Sequence, residues 1–208
     1  MRVCAVSDLH GNLPDTPECD LLLIAGDLTL HSSRARERDW LDGPFREWLK
    51  TRPAERIVGV AGNHDFYAER DPDFMGDLPW VYLQDETTTF GDHVIHGSPW
   101  SNWFGNWAFM AHDTDLIERA ELIPNETTIL ITHGPPYGIG DLTFDHRKVG
   151  SNAFRRRASE LPNLELYVFG HIHESRGKWV HDGVIFANVT MLDLGYKIYR
   201  DPVLEVSL

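Results

Sequence analysis

Five short polar motifs punctuate this 208-residue chain: Asp8-Leu9-His10, Gly26-Asp27, Gly62-Asn63-His64-Asp65, Thr132-His133-Gly134 and Gly170-His171-Ile172-His173. Each stands at the end of an apolar, often β-branched run: Arg2–Ser7, Leu21–Ala25, Ile57–Ala61, Ile129–Thr132 and Leu166–Phe169. Such runs read as buried strands. A fold that obeys this pattern must bring several strand ends, and the groups they carry, to one edge of a sheet. Side chains alternate along an extended segment, so Asp8 and His10 share a side, and so do His171 and His173. Burying so many polar groups without partners would cost roughly 2–7 kcal/mol each. A bound cation satisfies them together.

The donor types narrow the cation. Asp8, His10, Asp27, Asn63, His133, His171 and His173 mix carboxylate, amide and imidazole without thiolate. That set suits Mn, Fe, Zn, Co or Ni better than Ca, Mg or structural zinc. Seven ligands exceed the needs of one ion. Two divalent transition-metal ions about 3.5–4 Å apart, sharing a carboxylate, would use them all. The two cysteines, Cys4 and Cys19, lack ligand spacing. In a chain with no room for a signal peptide before its first motif, they read as reduced thiols in a cytoplasmic protein.

The rest of the chain is ordinary for a single domain spanning 1–208, with 42% hydrophobic residues and no apolar stretch near membrane-spanning length. Further strand candidates are His93–His96, Val184–Ala187, Tyr196–Tyr199 and Val203–Val206. Ser33–Lys50 reads as an amphipathic helix capped by Ser32 or Ser33 and kinked or split at Gly43-Pro44. A second helix covers Ser151–Glu160 and stops before Pro162. The order predicts an α/β sandwich with mixed sheets and outer helices. A net charge of −13 argues against a nucleic-acid polymer as partner and is compatible with a small phosphate-ester substrate at a cationic centre. Trp100, Trp103, Phe104 and Trp107 lie in a stretch broken by Gly, Asn and Ser, which favours a loop walling a substrate pocket over a helix face. His96, just before that loop, is a further candidate for lining the pocket. Arg155-Arg156-Arg157 falls in the second helix and reads as a solvated face.

In this order the motifs D-x-H, GD, GNHD, H and GHxH resemble the calcineurin-like metallophosphoesterase superfamily, from Asp8 to His173. Gly97-Ser98-Pro99-Trp100, Thr132-His133-Gly134-Pro135-Pro136 and Phe169-Gly170-His171-Ile172-His173-Glu174 resemble its metallophosphoesterase-domain-containing branch. The resemblance implies a four-layer αββα sandwich, with two mixed β-sheets flanked by helices. It also implies a dinuclear centre. One metal would be held by Asp8, His10, Asp27 and His173, the other by Asp27, Asn63, His133 and His171. His64 would stand beside the site as acid or charge stabiliser for the leaving alkoxide, with Asp65 a candidate to orient it. The expected activity is hydrolysis of small phosphate diesters such as cyclic nucleotides. Rival readings are a phosphomonoesterase or protein phosphatase, and a non-catalytic interaction module on the same fold. Oligomeric state is not legible here.

Overall fold

The computed structural model describes residues 1–30 and 34–208, so His31 and the expected Ser32 or Ser33 cap lie outside the described residues. In chain order the elements are β1 (Arg2–Val6), β2 (Cys19–Ala25), α1 (Arg34–Trp40), a π-helical segment (Leu41–Phe45), α2 (Arg46–Lys50), β3 (Ala54–Val60), α3 (Phe66–Arg70), α4 (Pro72–Gly76), β4 (Val81–Tyr82), β5 (Glu86–Phe90), β6 (His93–Ser98), β7 (Ser101–Asn102) and β8 (Met110–Ala111). There follow α5 (Asp113–Glu121), β9 (Ile129–Thr132), α6 (Asn152–Glu160), β10 (Leu166–Phe169), a 3-10 turn (His173–Ser175), β11 (Gly177–His181), β12 (Val184–Asn188) and β13 (Leu204–Ser207).

Two large mixed sheets result. The first runs β13-β1-β2-β3-β4, parallel except for the antiparallel edge strand β13. The second runs β11-β12-β10-β9-β6-β5, with a parallel centre and antiparallel edges. Alternation along the strands sorts their side chains into three apolar layers. Val3, Ala5, Leu21, Leu23, Val58 and Val60 meet Ile129, Ile131, Leu166 and Val168 between the sheets. On the outer face of the first sheet, Cys4, Val6, Leu22 and Ile24 pack on Leu41, Phe45, Trp48 and Leu49. On the outer face of the second, Leu130, Tyr167 and Phe169 pack on Leu116 and Ala120 of α5 and Ala153, Phe154 and Ala158 of α6. The order helix, sheet, sheet, helix is a four-layer αββα sandwich.

Several local outcomes differ from the sequence reading. The helix through Gly43-Pro44 is not split: a π segment accommodates the proline, which has no N–H to give. Tyr196–Tyr199 is not a strand but part of a turn closed by an isolated Leu192–Ile198 bridge. The α5 helix is additional. Its sequence DTDLIERAE buries only Leu116 and Ala120, too narrow a stripe to show as periodicity. The arginine cluster is structural: Arg157 bonds the Ile123 carbonyl and Asn125, and Arg156 pairs with Glu160. No helix among the described residues is long and apolar enough to cross a membrane.

Candidate metal centre

The parallel strands β1, β2 and β3 of one sheet and β9 and β10 of the other each run out, at their C-terminal ends, into one of the five motifs. The turns are sharp. Asp8, His10, Asp27 and His171 all adopt positive φ, at 57°, 41°, 53° and 71°. Left-handed backbone costs of order 1–3 kcal/mol at a non-glycine residue, and the packed strand ends hold it in place. Glycines let the loops close in: a Cβ at Gly62 would collide with the Asp27 carboxylate, and one at Gly170 with Ser7 and Asp8.

Asp27 is the centre of the constellation. Its Oδ1 lies 3.3 Å from His133 Nε2, and its Oδ2 lies 3.5 Å from His10 Nε2 and 3.9 Å from His64 Nε2. Asp8 Oδ1 lies 3.3 Å from His173 Nε2, and both Asp8 oxygens accept the His171 backbone N–H at 3.1 Å. The structure gathers ligand atoms within 4.8 Å of one another in three groups: Asp8, His10 and His173; Asp27, His133 and His171; and His10, Asp27 and His64. Asp8, His10, Asp27, Asn63, His133 and His173 are buried.

These residues fit a bound cation. The carbonyl oxygen of Ala25, 2.8 Å from His133 Nδ1, can only accept, so Nδ1 carries a proton. In neutral His133 the bare Nε2 then faces Asn63 Oδ1 at 2.8 Å and Asp27 Oδ1 at 3.3 Å, three acceptors around one point. His10 Nε2 is buried without a hydrogen-bond partner among the described residues. Without a metal, protons must take its place. Burial lowers the pKa of His133, but Asp27 outweighs it and pushes the imidazole up to about 9. Asp8 does the same to His173, also up to about 9 against burial. Burial, then His133, push His171 down to about 3. Burial raises Asp8 and Asp27, yet His173 and His133 hold the two carboxyls below their usual range.

The other expected site residues divide. His64 borders the pocket, its ring 4.6 Å from both the His10 and Trp107 rings. Trp107 and Phe104 line the pocket of about 310 Å³ that opens onto His10, Asp27, Asn63, His171 and His173. Trp103 lines the neighbouring cleft. Asp65 is not placed to orient the His64 ring: its carboxylate takes backbone N–H groups of Leu28, Thr29 and Gly62. His96 lies away from the pocket. Its neighbour Ile95 faces the inter-sheet core, so His96 points outward, where Nδ1 meets Thr87 Oγ1 at 2.9 Å. Trp100 is an anchor: Nε1 donates to Asp85 Oδ2 at 2.8 Å, and Arg119 lies over its ring. Tyr196 and Leu194 line the pocket unannounced by any motif, and Glu174, the last residue of the Phe169–Glu174 motif, lines it with them. The Tyr196 ring lies 5.0 Å from His10 and 5.2 Å from His173.

A carboxylate shared among histidines at the edge of an αββα sandwich is what a two-metal phosphoesterase requires, and residues 1–175 match the family description calcineurin-like phosphoesterase. The chain belongs to that family, whose members typically bind two divalent metals. It is 30% identical to metallophosphoesterase domain-containing protein 1 of Homo sapiens, across 97% of this chain and 69% of the relative, and equally to that of Mus musculus. These relatives place it in the metallophosphoesterase-domain-containing branch. Among solved structures, a phosphopantetheinyl hydrolase from Mycobacterium tuberculosis superposes with a TM-score of 0.61 at 15% identity, covering 98% of this chain and 95% of that one. That likeness shows the fold alone.

Proposed function

We propose that this phosphoesterase is a dinuclear-metal phosphodiesterase acting on small diesters such as cyclic nucleotides. The observation that carries the reading is the acceptor cluster around Asp27, which demands cations and opens into an aromatic-walled pocket. Asp8, His10, Asp27 and His173 would hold one ion, and Asp27, Asn63, His133 and His171 the other. When bound, the two ions polarise the phosphoryl group and neutralise its developing charge. The donor set favours Mn, Fe, Zn, Co or Ni.

The chain's own groups supply the rest. The Asp8 carboxylate, by accepting the His171 N–H, locks that ligand loop. Asp27 does the same for the loop carrying His64, whose backbone N–H it accepts at 2.8 Å. Burial pulls the His64 pKa below the ordinary value, against the pull of Asp27, so the imidazolium is a readier proton donor to a departing alkoxide. Phe104, Trp107 and Tyr196 offer ring faces beside the metal ligands on which a base can stack. Cys4 and Cys19 are free and buried, which fits a reducing, cytoplasmic setting.

The test is metal analysis of the purified protein with a hydrolysis panel. Two equivalents of metal and turnover of bis(p-nitrophenyl) phosphate and cyclic nucleotides are expected. Turnover of monoesters alone would move the assignment to a phosphomonoesterase or protein phosphatase. Metal without turnover of any ester would leave an interaction module.

A further inference from the structure

Two clefts meet at Phe104 and His171, whose rings lie 5.3 Å apart. One is the metal pocket. The other, about 480 Å³, leads away from it, lined by Asn102, Trp103, Thr143, Arg147, Val149 and Ile172 besides the shared pair. The reaction proposed above leaves this second cleft unused. Its walls are tied on two sides. The Asn102 amide donates to the carbonyls of Val149 and Gly150 at 3.0 and 2.9 Å, joining the aromatic loop to the segment opposite. The N–H groups of Leu142 and Phe144 donate to Ser175 Oγ and Glu174 Oε1, joining that segment to the loop that bears His171 and His173.

The lining has a specific chemistry. Trp103 and Phe104 are 53% and 54% exposed, apolar faces that a ligand can cover. Arg147 is the lining cation. Asp145 takes its Nε at 2.6 Å, and its two Nη groups have no partner among the described residues. A guanidinium fork of that kind matches a phosphate or carboxylate.

We propose that this cleft is a second substrate subsite, seating a planar base on Trp103 and Phe104 and an additional anionic group at Arg147. The substrate class is then a diester that carries, beyond the scissile phosphate, both a base and another anion. The inference rests on the phosphodiesterase reading and narrows it.

The dinucleotides ApA and pApA, which differ by one terminal phosphate, test it. The expected KM for pApA is lower than for ApA by about two- to fivefold, the effect of an exposed charge pair. Arg147→Ala should close that gap. Asp145→Asn, which removes the competing carboxylate and keeps the side-chain shape, should widen it. Added salt should shrink it. In metal-free protein, where no turnover intervenes, pApA should quench tryptophan emission, more weakly in Arg147→Ala and least in Trp103→Ala. A KM ratio unmoved by either charge variant, with both dinucleotides cleaved, overturns the subsite and leaves the phosphodiesterase standing. Cleavage of bis(p-nitrophenyl) phosphate with neither dinucleotide cleaved does the same. If no diester is cleaved, the phosphodiesterase reading falls and takes the subsite with it.

Discussion

The Asp65 carboxylate grips Thr29 twice, through its backbone N–H at 3.0 Å and its hydroxyl at 3.1 Å. It also accepts from Leu28 N–H at 2.9 Å and Gly62 N–H at 2.7 Å. These donors flank Asp27 on one strand end and Asn63 on the next. Asp65 therefore fastens two metal-ligand loops together from beneath. In Asp65→Asn an amide NH₂ must face one of the N–H donors, so a loss of about 1–3 kcal/mol is expected. Thermal melts check it, with metal content measured alongside. A wild-type melt with a rate loss that tracks leaving-group pKa would instead return Asp65 to the role of orienting His64.

Asp27 and Asn63 should separate in a metal titration. Asp27 belongs to two of the three ligand groups and lies beside both His10 and His133, whereas Asn63 Oδ1 meets His133 alone among the ligand imidazoles. Asp27→Ala is expected to weaken both sites, and Asn63→Ala to weaken one while the other still fills. Stoichiometry by metal analysis after Mn saturation decides. One equivalent in the wild type, unaffected by Asp27→Ala, would rule out the dinuclear arrangement.

His64→Ala should keep its metals and lose about 10²–10⁴-fold in rate, the usual contribution of a general acid. The loss should be largest for esters of poor leaving groups and smallest for nitrophenolate, which departs without a proton. Rates across a leaving-group series check the slope; uniform losses would remove the acid role.

The metal-free protein should show an unusual pH profile. His133 and His173 have folded pKa values near 9 against an ordinary 6.5. Their pairing with Asp27 and Asp8 is fully stabilising below pH 6.5 and is lost as pH rises toward 9. His171, pushed down to about 3, works the other way below 6.5, because the unfolded chain takes up the proton first. Melting temperature should therefore peak near pH 6.5 and fall toward 9. With excess Mn the upper limb should reverse, because ligands that shed protons bind metal more tightly. Parallel melts with and without Mn check the two slopes; parallel limbs would show that the cluster does not exchange protons for metal.

What the sequence made legible follows from how each group is positioned. The central strands are buried on both faces, so they stand out as continuous apolar runs, and the metal-ligand candidates follow them directly. The groups that line the pocket without such an anchor were harder to see. Tyr196 arrives by a turn with φ 58° from a segment that alternates like a strand. His96 falls outside the pocket although the signal for it is in the sequence: Ile95 and His96 alternate, and an inward Ile95 sends His96 to the opposite face. Composition does not divide the aromatic loop, because what separates Trp100 from Trp103 is an acceptor fifteen residues before Trp100, in the bend between β4 and β5.

That acceptor, Asp85, sits at φ 59° and takes Ser98 Oγ at 2.7 Å, Trp100 Nε1 at 2.8 Å and an Arg119 Nη at 3.1 Å. The Arg119 guanidinium also covers the Trp100 ring at 4.6 Å, and Phe109 meets it edge-on at 5.5 Å. Trp100 is thus the root of the aromatic loop, and Trp103 and Phe104 are its exposed tip. Truncation at the root should cost stability, about 3–5 kcal/mol for a well-packed Trp in Trp100→Ala. Trp103→Ala, at a side chain half exposed, should melt close to wild type and raise KM for a nucleotide more than for a small nitrophenyl diester. Asp85→Asn should fall between them, lowering the melt by the loss of a charge-assisted contact, about 1.5–3 kcal/mol. Kinetics and melts on the same three variants separate root from tip. A large drop in melt for Trp103→Ala with unaltered selectivity would place the whole loop in the core and remove it from substrate choice.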